Sequence, residues 1–190
     1  MSEPVSAMAG AFHDGIVRVE DAGLHGMITL RGDLSSAKVK KAVKAAVGAD
    51  VPGQRMIASA GEKSVAWMSP DELLLLVPYS EVGDILSGLE AALAGEHFLA
   101  VNVSDARAIF ALRGGQVRDV LAKLAPVDMA RDAFKPGDFR RTRLAQIAGA
   151  FWMPDNETIM IVCFRSVAEY AFNLLKTAAL SGGEVGYHDA

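Results

Sequence analysis

Apolar and polar positions along the chain predict short strands and amphipathic helices in two similar series. In the first series, apolar residues recur at helical spacing through residues 39–47 and again through 82–93, which predicts two helices packed on a sheet. A Pro-Asp turn follows the second predicted strand and indicates a hairpin. The predicted strands of this series are residues 26–30, 65–68, 73–77 and 98–103.

The second half of the chain repeats this order of elements. Helices are predicted from Val117 and from Ser166, each after an apolar run that has the length of a strand. Residues 184–187 form a candidate closing strand after the second helix. The predicted strands of this series are residues 106–112, 150–153, 158–164 and 184–187.

Two short motifs connect the series. Leu-Arg-Gly occurs at residues 30–32 and at 112–114, an offset of 82 residues, and Trp-Met occurs at 67–68 and 152–153, an offset of 85. A nearly constant offset indicates an internal duplication. We therefore predict an α+β protein of two tandem ferredoxin-like β-α-β-β-α-β units that form one pseudo-symmetric composite domain.

The expected boundaries follow from the same pattern. Residues 25–104 are assigned to the first repeat and residues 105–190 to the second. Residues 1–24 have no sustained period apart from a strand candidate at 16–19, so they are interpreted as an N-terminal arm outside the repeats.

Composition narrows the function classes. The formal net charge of -4 argues against a nucleic-acid partner, which normally requires a basic face. Apolar residues make up 51% of the chain and charged residues only 22%, so either a hydrophobic interface with a partner or a large core is expected. No apolar run is long enough to span a membrane and no secretory signal is visible, so a cytoplasmic protein is predicted.

No set of residues forms a self-sufficient catalytic or metal site. The single cysteine, Cys163, lies in an apolar run that is typical of a buried thiol, and the four histidines stand far apart. Trp67 and Trp152 are interpreted as hairpin or core packing, with ligand stacking as the alternative.

Four arginines are the candidate binding residues. They are assigned to a partner-contact or anion-binding loop, and the alternative is an ordinary solvated loop. One of them opens an Arg-Gly-Gly turn between a strand and a helix, where phosphate binding competes with a plain tight turn. The four residues are Arg113, Arg140, Arg141 and Arg143.

Several motifs in the second half, in this order, resemble the gamma subunit of heterotetrameric sarcosine oxidase. They are VSDARAIFALRG (103–114), VLAKLAPVD (120–128), AFKPG (133–137), TRLAQ (142–146) and FRSVAEY (164–170). Residues 138–141 depart from the family pattern. The resemblance implies a fold similar to the folate-binding modules of glycine-cleavage aminomethyltransferases.

The resemblance also implies a set of partners and a reaction. Such enzymes oxidise the N-methyl group of sarcosine to give glycine, formaldehyde and hydrogen peroxide, or pass the one-carbon unit to tetrahydrofolate. The expected partners are the alpha, beta and delta subunits, chiefly alpha, and a homodimer is possible for the isolated chain. FAD, FMN, NAD, zinc and tetrahydrofolate are expected elsewhere in the complex, with no cofactor or catalytic residue on this chain.

Two other functions remain open, the first of them suggested by the resemblance in fold. One is a stand-alone folate-binding one-carbon transferase or carrier of the aminomethyltransferase type. The other is a small-molecule regulatory module built from ferredoxin-like repeats.

Overall fold

A computed structural model describes residues 3–188 of the chain. The chain divides into two compact units. Residues 24–105 form what we call the contiguous unit. The residues up to 23, together with those from 106 onward, form what we call the split unit.

Eleven strands and four helices make up the described chain. The strands are β1 (Phe12–Asp14), β2 (Arg18–Asp21), β3 (Gly26–Arg31), β4 (Ile57–Ala60), β5 (Lys63–Ser69), β6 (Glu72–Val77), β7 (Leu99–Asn102), β8 (Arg107–Arg113), β9 (Phe139–Leu144), β10 (Ile147–Asp155) and β11 (Thr158–Phe164). The helices are α1 (Ala37–Val47), α2 (Val82–Ala92), α3 (Val117–Ala122) and α4 (Ala168–Ala178).

Each unit contains one antiparallel sheet with the same strand order. The contiguous unit has the order β4-β5-β6-β3-β7, and the split unit has β9-β10-β11-β8-β2 with β1 added outside β2. The elements therefore correspond pairwise, so that β3, α1, β6 and α2 match β8, α3, β11 and α4. The predicted α+β fold of two ferredoxin-like units is confirmed. The contiguous unit has one unpredicted edge strand, β4, and the split unit has two, β9 and β1.

Both cores form where the helices cover one face of their sheet. In the contiguous unit, Val43 of α1 and Leu89 of α2 pack with Leu30 and Leu75 of the strands. The corresponding core of the split unit includes Val120, Phe110, Leu112, Ile161 and Leu175. The 3.6-residue period of the helices and the two-residue period of the strands place these side chains on one face.

The N-terminal segment completes the sheet of the split unit, which corrects the prediction that it lies outside the repeats. β2 pairs with β8 so that Val19 lies opposite Leu112, and Val19 is fully buried in that core. The Ile16 amide donates to the Ala179 carbonyl at 2.8 Å, and Gly15 lies so close to that carbonyl that a β-carbon would clash.

The predicted closing strand at residues 184–187 is wrong, because these residues have no strand structure. The position beside β8 that it was expected to fill is occupied by β2. The prediction assumed that the strand beside β8 follows it in sequence. In the structure that strand is β2, from the start of the chain, and it occupies the position that β7 occupies beside β3 in the contiguous unit. The assignment of both units to one composite domain stays a prediction.

The two tryptophans are not structural equivalents, because strand pairing places them on different faces of their sheets. Trp67 shares a face with Val65, which belongs to the helix-facing core. Trp152 follows Phe151 of the helix-facing core and therefore points to the other face, where it stacks on Phe139 with a centroid distance of 6.1 Å. The Leu-Arg-Gly motifs do correspond, since Leu30 and Leu112 both face the helices.

Deleting residues 1–21 is expected to unfold the split unit. The deletion removes the burial of Val17 and Val19, each contributing about 1.5–3 kcal/mol, and the pairing of β2 with β8. We expect a loss of at least about 4 kcal/mol in the free energy of unfolding, measured by urea denaturation. Deleting residues 184–190 is the control, and an equal or larger loss in that control would contradict the strand assignment.

Candidate functional site

Three of the candidate arginines lie on a strand rather than in the predicted loop. Arg140, Arg141 and Arg143 belong to β9, an edge strand that pairs with β10 through a tight turn at residues 145–146. Alternation along the strand leaves Arg141 and Arg143 exposed on one face. The edge of this sheet therefore presents positive charge in a fixed arrangement.

Arg140 points to the opposite face and is anchored there. It forms an ion pair with Asp138 at 3.5 Å, donates to the Phe139 carbonyl at 3.0 Å, and lies over the Phe134 ring at 5.3 Å from its centroid. Its guanidinium thus holds the segment before β9 against the sheet. Arg140 therefore has a positioning role within the chain, whereas the side chains of Arg141 and Arg143 are exposed to solvent.

Arg113 lies apart from the other three arginines. It ends β8, and β11 and β10 separate that strand from β9, which amounts to about 14 Å at the usual strand spacing. Its Nε donates to Glu20 at 2.6 Å, and Glu20 also pairs with Arg18 at 2.8 Å. The four arginines therefore do not form one binding loop.

Charge pairing around Glu20 stabilises its ionised form. The Arg113 guanidinium, followed by that of Arg18, lowers the pKa of the Glu20 carboxyl. In the adjoining turn, Gly114 has a φ of 134° and its amide donates to the Glu157 carbonyl at 2.9 Å. Since this amide is bonded within the chain, the Arg-Gly-Gly turn has the properties of a tight structural corner.

Arg118 is a buried cation that the sequence analysis missed. Its side chain on α3 is 2% exposed and its Nη1 donates to the carbonyls of Met129 and Phe134 at 2.9 and 2.7 Å. Burial lowers the pKa of this guanidinium, and the nearby Arg131 acts in the same direction. Arg118 thereby fixes the loop between α3 and β9.

The thiol and the other candidate ligands do not converge on a reactive centre. Cys163 is buried in β11, and burial raises the pKa of its thiol to about 11, so it stays protonated at neutral pH. Within residues 3–188 there is no group of three His, Cys, Asp or Glu side chains that could hold a metal ion. None of the helices in that range is long and apolar enough to cross a membrane.

A cavity of about 440 Å³ opens on the contiguous unit, at the start of β7. Two of its carboxyls have a lowered pKa because serine hydroxyls donate to them, Ser35 to Asp33 and Ser69 to Asp71. Arg31, also in the lining, is already paired with Glu72 at 3.0 Å. The lining therefore has two carboxylates against one guanidinium, a small excess of negative charge, and it includes Arg31, Asp33, Asp71, His97, Phe98 and Leu99.

These arrangements are suited to binding. The paired charges and the buried arginine hold strands and loops in place. The surface of the described residues includes a basic edge at β9, an apolar edge at β7 and the acidic cavity beside it. Each of these is a surface that a macromolecular partner can contact.

Comparison with known proteins gives one family match and two structural similarities. The model of the sarcosine oxidase gamma subunit family matches residues 31–181. A chain of the heterotetrameric sarcosine oxidase from Corynebacterium sp. U-96, solved in complex with pyrrole 2-carboxylate, is similar at 25% identity with a TM-score of 0.79, covering 86% of this chain and 83% of that one.

A second similarity concerns the fold alone. The glycine cleavage system aminomethyltransferase T from Bartonella henselae is 12% identical with a TM-score of 0.60, covering 83% of this chain and 45% of that one. The predicted likeness to aminomethyltransferases is thereby confirmed at the level of fold. No curated protein matches this chain in sequence.

We expect Glu20→Gln to reduce stability by up to about 1 kcal/mol at pH 7, because the ion pairs it removes are partly exposed. The folded-state pKa of Glu20 is lowered, so its contribution is fully present above the unfolded value of about 4.3 and disappears as pH falls through the folded value. Urea denaturation of both proteins between pH 7 and pH 3 measures this. The prediction is contradicted if the difference in the free energy of unfolding between the native protein and the variant grows as the pH is lowered.

Replacing Arg118 by methionine is expected to cost about 2–5 kcal/mol, since two buried carbonyls lose their donor at about 1–3 kcal/mol each. The matched control is Arg131→Met at an exposed position, with an expected change within about 0.5 kcal/mol. The measurement is again the free energy of unfolding. Equal effects of the two variants would rule out the anchoring role of Arg118.

Proposed function

This chain belongs to the sarcosine oxidase gamma subunit family, and on that premise we propose that it is a non-catalytic subunit of a heterotetrameric sarcosine oxidase. Its role is to support assembly and stability of the complex, chiefly by docking on the alpha subunit. The observation that carries the proposal is the family match over residues 31–181, which includes elements of both repeats. The likeness to a chain of a heterotetrameric sarcosine oxidase supports it.

The chemistry of the described residues is in keeping with this role. The buried cation Arg118 bonds backbone carbonyls, and the thiol of Cys163 is protonated and enclosed. The exposed features are edges and a cleft on the surface. On the basis of the family, we also propose that FAD, FMN, NAD, zinc and tetrahydrofolate bind to other chains of the complex and that its location is cytoplasmic.

The basic edge at β9 contributes to the interface in this proposal. Arg141 and Arg143 point the same way from a rigid strand, which suits an acidic surface on a partner. Arg140 supports that strand from its other face through Asp138 and Phe134. Arg113 lies on β8, with β10 and β11 between it and β9, and it acts within the chain through Glu20.

Co-expression with the alpha, beta and delta chains of the same organism tests the proposal. We expect all four chains to copurify in equal amounts and to oxidise sarcosine, and omission of this chain to reduce the yield of stable complex at least tenfold. A fully active and equally stable enzyme assembled without this chain would contradict the structural requirement.

Calorimetry separates this role from that of a stand-alone folate-binding transferase. The isolated chain is expected to show no binding of tetrahydrofolate at concentrations up to about 1 mM, which corresponds to a binding free energy weaker than about -4 kcal/mol. Tight binding, with a Kd in the micromolar range, would favour the transferase instead. Sedimentation of the same sample shows whether the isolated chain forms a homodimer.

A further inference from the structure

β7 is an edge strand with an unusual surface. It pairs with β3 on one side, and no strand within residues 3–188 pairs with its other side. Leu99 is 53% exposed and Val101 is 39% exposed, and the strand carries no charged residue. Proteins normally protect such an edge, because its free amides and carbonyls and its apolar side chains invite another strand.

The other edge strands of the two sheets show that protection. β9 carries three arginines, and β1 is three residues long with Arg18 over the ring of its Phe12 at 4.4 Å. β4 has one large side chain, Ile57, which is buried. β4 is also uncharged, but among these four edge strands of residues 3–188 only β7 combines an uncharged sequence with exposed large apolar side chains.

The internal duplication shows what is missing beside β7. Its counterpart in the split unit is β2, which is covered on its outer side by the antiparallel strand β1. In the pairing with β3 and β8, Leu99 occupies the place of Arg18 and Val101 the place of Glu20. Where β2 has charged residues and a covering strand, β7 has apolar residues and an open edge.

The acidic cavity lies at the N-terminal end of the same strand. Leu99 is part of its lining, next to Phe98 and the carboxylates of Asp33 and Asp71. A strand that runs antiparallel to β7 has its C-terminal end at this cavity. The excess of carboxylates therefore favours a positive charge at that end of the incoming strand.

We propose that β7 is the docking strand for an extended segment of the alpha subunit. The segment pairs antiparallel along Leu99–Asn102, packs apolar side chains on Leu99 and Val101, and places a lysine or arginine at its C-terminal end in the acidic cavity. This recognition combines backbone hydrogen bonds for affinity with alternate side chains for specificity. The inference rests on the proposed function, since it assigns a surface to the same partner.

Charged edge residues test the docking strand. The double variant Leu99→Lys and Val101→Lys is expected to weaken assembly with the alpha, beta and delta chains at least tenfold, measured as complex recovered by copurification at matched concentrations. The matched control is Met56→Lys and Ser59→Lys, which adds the same charge near β4 at the opposite edge of the same sheet. Thermal denaturation of each isolated variant shows that both remain folded.

Hydrogen exchange tests the backbone pairing in the native complex. Amides of Leu99–Asn102 that point outward are expected to exchange at least tenfold more slowly in the complex than in the isolated chain, while those of β4 remain unchanged. Replacing Asp33 and Asp71 by asparagine is expected to weaken assembly about fivefold and to reduce its salt dependence.

The outcomes separate this inference from the proposed function. If the native chain assembles and the β7 variant assembles equally well, or β7 exchange is unchanged, the docking strand is wrong and the subunit role stands. If the native chain does not assemble with the other three, both are wrong. A homodimer that the β7 variant abolishes, with assembly intact, identifies a second copy of this chain as the occupant and overturns the inference.

Discussion

The pairing of β2 with β8 is the constraint on which the split unit depends. Val19 enters the core opposite Leu112, and the backbone around Gly15 bonds to the end of α4. The two strands are joined by the whole contiguous unit, so the sheet requires a non-local contact between the start and the second half of the chain. Because the entropy cost of closing a loop grows only slowly with its length, a separation of this kind is compatible with a stable sheet.

Local periodicity predicted most of the strands and helices. It did not predict which strands pair with each other, nor the edge strand β9. The runs at β3, β6, β8 and β11 are strongly apolar, so both their existence and their type followed from the sequence. β9 was missed because its two buried residues, Phe139 and Leu144, are five residues apart on opposite faces and the arginines between them leave no apolar alternation. The strand beside β8 was assigned to residues 184–187 because an internal repeat predicts that the elements of both units follow the same order along the chain. The strand that fills this place, β2, instead precedes the first repeat in sequence.

The candidate site was the least predictable part, since it depends on contacts between residues far apart in sequence. Arg113 and Glu20 meet only because β2 lies beside β8. From the sequence, Arg118 is indistinguishable from an ordinary exposed polar residue of a short helix. Its burial depends on the loop that carries Met129 and Phe134. The Trp-Met repeat was misleading for a related reason, since identity of residues was matched without regard to the two-residue period of strands.

Two strands in equivalent places show how a duplicated fold can acquire a binding surface. β2 and β7 occupy the same position in their sheets, and the charged pair Arg18 and Glu20 of the first corresponds to the apolar pair Leu99 and Val101 of the second. β2, which β1 covers, is charged, and β7, which is at the edge of its sheet, is apolar. Solvation alone favours the reverse, with charged residues on the edge strand. An apolar open edge lowers the free energy only when a partner removes it from water, so this difference between the repeats supports the proposed docking of a partner strand on β7.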